Sequence, residues 1–205
     1  MKMMKIGVLL DSGTVKKRRR YGLNVFEAYI KEILAHAGVP FTMMTQIDEL
    51  PAAKVDLVIV SVVPQDEQTA EALWHYAEQG GTLVAYGGLA LLAERLGCAK
   101  RSRLDKGYAR LPEYDFLTIP LRYLSAEAWC AGGEPCVSAG SLHASSPEGT
   151  ASGALLQQWM VGQGAIHRWA VDIPTTVVHL RRGLSRCLWM VSQPRMGQPQ
   201  LTRAF

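Results

Sequence analysis

Hydrophobic positions in the first hundred residues alternate between continuous runs and helical spacing. Four continuous runs are typical of strands buried on both faces of a parallel sheet: residues 6–10, 39–44, 55–63 and 82–86. Helical spacing fills the gaps over residues 25–37 and 66–79, and an Ala- and Leu-rich stretch after Gly88 predicts a third helix that ends at Gly97. Strands separated by helices of this length need right-handed crossovers. The pattern therefore predicts an α/β three-layer sandwich with a mainly parallel, flavodoxin-like sheet.

Beyond residue 106 the helical period fades and short alternating segments predict antiparallel strands that extend the sheet. These segments are residues 114–124, residues 136–143, and a hairpin that joins 155–161 to 165–171. Asp172-Ile173-Pro174 then opens a short helix, with Gly183 just past its end. We expect a single domain over 1–193, divided into a parallel half of about 1–105 and a strand-rich half of about 106–193, with a tail over 194–205.

Composition places the chain among globular proteins. Its 205 residues are 48% hydrophobic and 20% charged, which excludes a disordered, collagen-like or coiled-coil chain. No apolar run approaches the roughly 18 residues of a membrane helix, and the first ten residues do not form a secretory signal, so we expect a cytoplasmic protein with no membrane partner. The four cysteines show no C-x-x-C spacing and the histidines are isolated. We expect neither a metal site nor a cofactor.

The net charge of +4 comes from local clusters of basic residues. Eleven of the 22 lysines and arginines lie in residues 16–20 and 95–110. The first cluster is predicted to form a loop after the first strand, at the edge where open α/β sheets bind ligands: Lys16, Lys17, Arg18, Arg19 and Arg20. Such a run can contact phosphate or nucleic acid. Because no aromatic residue interleaves it and no nucleic-acid motif accompanies it, we expect a solvated loop, and nucleic acid is not the expected partner.

Residues 80–97 read Gly-Gly-Thr-Leu-Val-Ala-Tyr-Gly-Gly-Leu-Ala-Leu-Leu-Ala-Glu-Arg-Leu-Gly. This strand, turn and helix pattern resembles the nucleophile elbow of class I glutamine amidotransferases, with Tyr86 where that family has its cysteine. An elbow exposes a nucleophile beside oxyanion-hole amides, but tyrosine, with a pKa near ~10, is a poor acyl acceptor. The His-x-Glu pair of the family is missing too, since no histidine has Glu two residues on. The resemblance implies an amidotransferase-like fold without glutaminase activity.

The C-terminal half carries a looser resemblance. Residues 161–166 and 169–174, followed by Arg181-Arg182-Gly183, form a Gly-x-Gly, strand and Asp-Ile-Pro sequence. It is similar to the ending of amidotransferase-like domains attached to sugar-processing enzymes, such as the trimerisation domain of bacterial β-galactosidases. This resemblance implies an accessory or oligomerisation domain that could form part of a longer carbohydrate-active chain. The expected partners are further copies of the chain, or a further domain or chain.

Polar residues and glycines at the ends of three predicted strands define the candidate site. In a parallel sheet these ends meet at one crevice. The ligand-binding candidates are Asp11, Ser12, Ser61, Tyr86, Gly87 and Gly88. An elbow followed by a helix presents backbone amides to a polar ligand, and an opposing carboxylate favours a neutral polyol or sugar hydroxyl over a phosphate. The alternative is that Asp11 only caps the next turn and Tyr86 packs beneath a loop.

Three functional hypotheses follow. The first is a catalytically silent amidotransferase-like domain that acts as an accessory, ligand-binding or oligomerisation module linked to carbohydrate metabolism; it assigns no catalytic residue. The second is a hydrolase-type enzyme of unknown substrate that uses Asp11, Ser12 and Tyr86 in the crevice. The third is a nucleic-acid-associated protein that binds through the basic run at residues 16–20.

Overall fold

The computed structural model describes residues 4–98, 100–111, 120–130 and 136–180. Its strands are β1 (Ile6–Leu10), β2 (Thr42–Met44), β3 (Leu57–Val62), β4 (Thr82–Tyr86), β5 (Lys100–Leu104), β6 (Gly107–Arg110), β7 (Leu121–Tyr123), β8 (Ala126–Cys130), β9 (Cys136–His143), β10 (Ala151–Val161) and β11 (Gly164–Trp169). Its α-helices are α1 (Ser12–Arg20), α2 (Ile30–His36), α3 (Leu50–Ala53), α4 (Glu67–Glu78) and α5 (Ile173–Leu180). Short 3₁₀ helices cover Phe26–Tyr29, Ile47–Glu49 and Ala90–Leu92.

Nine strands form one sheet in the order β2-β1-β3-β4-β11-β10-β9-β6-β7, and β5 pairs with β8 in a separate two-stranded sheet. The first five strands of the large sheet, from β2 to β11, run parallel to one another. The remaining strands pair antiparallel. The flavodoxin-like α/β sandwich with an antiparallel extension is therefore confirmed.

Successive side chains of the parallel strands enter opposite faces of the sheet, because the strand period is two. Val8, Ile59 and Val84 pack on one face with α2. Leu9, Val58 and Leu83 pack on the other face with α4. The continuous apolar runs are therefore explained by burial on both faces, as expected for strands covered by helices.

Helix α4 begins where the sequence predicts. The Asp66 side chain accepts a hydrogen bond from the Thr69 amide at 2.8 Å, which satisfies one of the donors left open at a helix start. Gly80 follows the helix with a φ of 103°, in the region that favours glycine. The chain then enters β4 at Thr82.

Two predicted elements of the parallel half are wrong. The basic run at residues 16–20 is not a loop: it forms the last five residues of α1, because Asp11 caps the helix start and Val15 anchors it in the core. The helix predicted between Gly88 and Gly97 is also absent. Leu89 has a left-handed φ of 59°, so the segment starts as the 3₁₀ helix Ala90–Leu92 and continues as hydrogen-bonded turns.

In the second half, β9 matches its predicted bounds and the predicted hairpin is formed by β10 and β11. However, β11 is antiparallel only to β10, since its other edge pairs parallel with β4. The strands β5, β6 and β8 were not predicted. Of the segment at residues 114–124, β7 lies within the described part of the chain, whereas the predicted tail and the helix end at Gly183 lie outside it.

Candidate functional site

A tight turn follows β4, at the position of the elbow resemblance. Tyr86 is the last residue of the strand, and Gly87 and Gly88 adopt left-handed φ values of 74° and 65°. The Gly87 amide donates to the Trp169 carbonyl of β11 at 2.7 Å, which ties the turn to the neighbouring strand. Because only a three-residue 3₁₀ helix follows, the predicted helix N-terminus that would present amides to a ligand is not present.

The carboxyl ends of β3, β4 and β11 meet beside this turn and enclose a crevice of about 100 Å³. Its polar and charged lining comes from five different segments of the chain. These lining residues are Arg18, Glu27, Ser61, Gln65, Tyr86 and Asp172. The structure thus brings together four of the predicted site residues: Ser61, Tyr86, Gly87 and Gly88.

Arg18 and Glu27 form an ion pair on one side of the crevice. The Arg18 Nη1 atom donates to Glu27 Oε1 at 2.6 Å, and both side chains are partly exposed. The Ser61 hydroxyl donates to the Glu27 carbonyl oxygen at 2.7 Å. The charge of Arg18 is therefore matched by Glu27, and this wall presents both donors and acceptors of hydrogen bonds.

Asp172 also lines the crevice, three residues after the end of β11, and sequence reasoning did not identify it as a site residue. Its carboxylate caps α5 by accepting hydrogen bonds from the Thr175 amide at 3.1 Å and the Thr175 hydroxyl at 2.7 Å. Burial raises the pKa of the Asp172 carboxyl above its usual value, although the hydrogen bonds from Thr175 oppose the change. The signal that could have located Asp172 is the parallel pairing of β11 with β4, which the sequence pattern did not reveal.

A second cavity, of about 260 Å³, is lined in part by the same turn. It shares Gly87, Gly88 and Asp172 with the crevice and is completed by Arg103, Ser125 and Glu127. The two cavities are therefore neighbours that share the turn.

Arg168 fixes the turn from beneath. Its side chain is fully buried, and its Nε atom donates to the Gly88 carbonyl oxygen at 3.1 Å. Its Nη2 atom donates to both the carbonyl and the carboxylate of Glu127, at 2.9 and 3.1 Å. The guanidinium carbon also lies 3.8 Å from the ring centroid of Trp129. This side chain connects β11, β8 and the turn after β4.

Asp11 and Ser12 are positioned differently from the prediction. The Asp11 carboxylate accepts a hydrogen bond from the Thr14 amide and caps α1, while the Ser12 amide donates to the Thr45 carbonyl. Neither residue is among the twelve described residues that line the crevice. From the basic run, Arg18 alone lies among those twelve.

The lining chemistry suits binding better than covalent catalysis. The described residues that line the crevice include no histidine and no cysteine, and Tyr86, at the nucleophile position of the resemblance, is only 7% exposed. Both carboxylate oxygens of Asp172 already accept hydrogen bonds. The crevice offers hydroxyl, amide, carboxyl and guanidinium groups and no excess of positive charge, which suits a small neutral polar ligand better than an anion.

Two further observations apply to the described residues. No group of three or more His, Cys, Asp or Glu side chains among them could hold a metal ion. Within the same part of the chain, no helix is long and apolar enough to cross a membrane.

Comparisons with known proteins find similarity at the level of the fold. No protein-family model matches the sequence, and no curated protein matches it. Among solved structures, an exo-β-1,4-mannosidase from Opitutaceae bacterium strain TAV5 superposes with a TM-score of 0.60 at 14% identity, over 92% of this chain and 36% of that one. A β-galactosidase from Bacillus circulans sp. alkalophilus gives a TM-score of 0.60 at 15% identity, over 96% and 32%.

A cytoplasmic protein from Salmonella typhimurium LT2 is similar over almost its whole length. Its TM-score is 0.57 at 13% identity, with 91% of this chain and 96% of that one covered. The chain thus spans about a third of the two glycoside-processing enzymes and nearly all of a small cytoplasmic protein. At these identities the likeness shows the fold alone: this chain has the fold of a region found in β-galactosidase and mannosidase structures.

Proposed function

We propose that this chain is a catalytically silent, amidotransferase-like accessory module linked to carbohydrate processing, which binds a small polar or sugar ligand in the crevice beside Tyr86. One observation carries the proposal: a buried tyrosine occupies the elbow position, and polar groups, among them one guanidinium and two carboxyl groups, line the crevice beside it. The likeness to regions of a β-galactosidase and a mannosidase supports the link to carbohydrate. The cytoplasmic Salmonella protein of similar length supports a cytoplasmic module.

Ligand binding is tested by isothermal titration calorimetry with a panel of monosaccharides, disaccharides and polyols. We expect at least one neutral sugar or polyol to bind saturably. The Ser61→Ala substitution removes a crevice hydroxyl and should weaken that binding, whereas Ser102→Ala, at an exposed position of β5, is the matched control and should not. Absence of binding across the panel, or equal effects of both substitutions, would refute this ligand class.

Catalytic silence at the elbow is tested with glutamine. We expect the purified protein to release no ammonia from glutamine above background, because the crevice lining contains neither a thiol nor an imidazole among its described residues. Saturable ammonia release that is abolished by a single alanine substitution in the crevice would overturn this part of the proposal.

A second role, as an oligomerisation module, is favoured by one surface feature. Val137 and Met160 are 64% and 69% exposed, and because Val137 lies opposite Gln158 in the β9–β10 pairing, the two side chains share one face of the sheet. We propose that this face contacts a second copy or a further domain. Light scattering after size-exclusion chromatography should then show an oligomer that Met160→Asp converts to smaller species, and a monomeric wild-type chain would contradict a homo-oligomer.

A further inference from the structure

Helix α1 presents an exposed cationic face. Lys16, Lys17, Arg19 and Arg20 are all exposed, and none forms an ion pair with another described residue. No acidic residue occurs between Asp11 and Glu27, so α1 itself carries no carboxylate beside these cations. The positive field of this helix is therefore available to an anionic partner.

An aromatic and an aliphatic side chain extend this face. Tyr21 and Leu23 are 72% and 58% exposed, at the C-terminal end of α1. Tyr21 follows Lys17 by four residues, which places it one helical turn away on the same side. Its backbone amide closes the helix, so the phenol ring is not required for that cap. We call Lys16, Lys17, Arg19, Arg20, Tyr21 and Leu23 the α1 surface.

The helix that carries this surface is held firmly from the other side. Val15 is buried, and Arg18 is bound to Glu27 at 2.6 Å. The exposed cations therefore project from a fixed backbone, so less conformational entropy is lost when they bind than on a mobile loop.

We propose that the α1 surface binds single-stranded nucleic acid without sequence preference. Single-strand binding combines cations that contact phosphates with aromatic rings on which bases stack, and this surface supplies both. Tyr21 directly follows the basic run in sequence, and the helix places it one turn from Lys17. An anionic membrane is a poorer fit, because interfacial helices insert several apolar side chains and Leu23 is the one aliphatic residue here.

The test measures fluorescence anisotropy of a labelled 15-nucleotide oligouridylate at several potassium chloride concentrations. Four cations that each displace a condensed counterion should give a slope of log K against log salt of about −3. The Lys17→Gln/Arg20→Gln double variant should reduce the slope to about −1.5. Lys31→Gln, which changes an exposed lysine outside the α1 surface, is the matched control and should leave binding unchanged.

Tyr21 separates base stacking from plain ion exchange. Tyr21→Ala should weaken binding about tenfold with an unchanged salt slope, and Tyr21→Phe should retain it, since the ring is kept. Thermal melting of each variant verifies that the fold is intact. Absence of oligonucleotide binding at 50 mM salt, wild-type affinity of Tyr21→Ala, or binding to phosphatidylserine vesicles in place of the oligonucleotide would each overturn the proposal. None of these outcomes depends on sugar binding, because no residue of the α1 surface lines the crevice.

Discussion

Two arginine–glutamate pairs flank the turn after β4, and they differ mainly in burial. Arg18 and Glu27 meet at 2.6 Å with 36% and 21% of their side chains exposed. Arg168 and Glu127 meet at 3.1 Å with the arginine completely buried and the glutamate 33% exposed. The first pair lines the crevice, whereas the second holds the carbonyl of Gly88.

This difference in burial predicts different roles. A solvent-exposed ion pair contributes at most about 1 kcal/mol, because water and salt screen it. A buried guanidinium depends on its hydrogen-bond partners, and removal of one side of such a network leaves polar groups without compensation. We therefore expect Arg168 to stabilise the turn, and Arg18 to contribute mainly to the polar lining of the crevice.

The largest expected effect is that of Arg168→Ala. The substitution leaves the Gly88 and Glu127 carbonyl oxygens without this donor and removes the contact with Trp129, so the free energy of unfolding should fall by about 3 kcal/mol or more. Urea denaturation measures the change. Arg168→Lys keeps the charge but not the planar guanidinium group. Its free energy of unfolding should lie between those of the wild type and Arg168→Ala. A loss below about 1 kcal/mol would show that burial does not distinguish the two pairs.

Gly87→Ala should have the next largest effect. A Cβ at this position has room, since its nearest neighbours would be Asp172 atoms at 3.7 Å, but a φ of 74° is strained for alanine. The expected loss in the free energy of unfolding is about 1–2 kcal/mol. Gly87→Asn should cost less, because asparagine tolerates the left-handed region. Equal losses for both variants would point to crowding rather than backbone strain.

The raised pKa of Asp172, which lines the crevice, predicts that the stability of the protein depends on pH. Its pKa is raised by burial, so the folded state keeps the proton at pH values where the unfolded state has lost it. This group's contribution to stability is therefore complete below the unfolded pKa of about 4 and is lost as pH rises through the higher folded value. Asp172→Asn preserves a capping side chain and removes the titration. The difference in unfolding free energy, wild type minus variant, should fall with rising pH, and a rise would contradict it.

The smallest expected effect on stability is that of Arg18→Ala. Loss of a partly exposed ion pair should change the free energy of unfolding by about 0.5 kcal/mol. The same substitution should alter sugar binding, because Arg18 lines the crevice. A calorimetric titration beside the urea denaturation measures both. A stability loss as large as that of Arg168→Ala would remove the contrast between the pairs.

The parallel strands and the strands that follow β4 in the chain also differed in how well the sequence predicted them. Strands such as β3 and β4 are buried on both faces, so continuous apolar runs marked them. The strand β5, with the sequence Lys-Arg-Ser-Arg-Leu, belongs to the two-stranded sheet and carries no such run. The strands β6 and β8 are short, at four and five residues, which is too brief for a clear alternation. These segments form strands because of the strands with which they pair in the folded protein.

The sequence predicted only part of the candidate site, because it revealed the buried parallel strands but not the pairing of β11. Ser61 and Tyr86 end strands whose parallel order follows from the β-α-β pattern, so their meeting was expected. Asp172 and Glu27 were not expected there, and Arg18 was expected at this edge only as part of a loop. Asp172 reaches the crevice because β11 inserts beside β4, and Arg18 does so because α1 is a helix rather than a loop.

By itself, the sequence determined the α/β class, the buried strands and the glycine turn after Tyr86, because these depend on hydrophobic period and local backbone preference. The tertiary structure alone decided which distant residues come together: β11 beside β4, Asp172 and Ser61 in one crevice, and Arg168 against the Gly88 carbonyl. Which strands pair depends on the free energy of the complete fold relative to folds with another strand order. A short stretch of sequence does not reveal that difference.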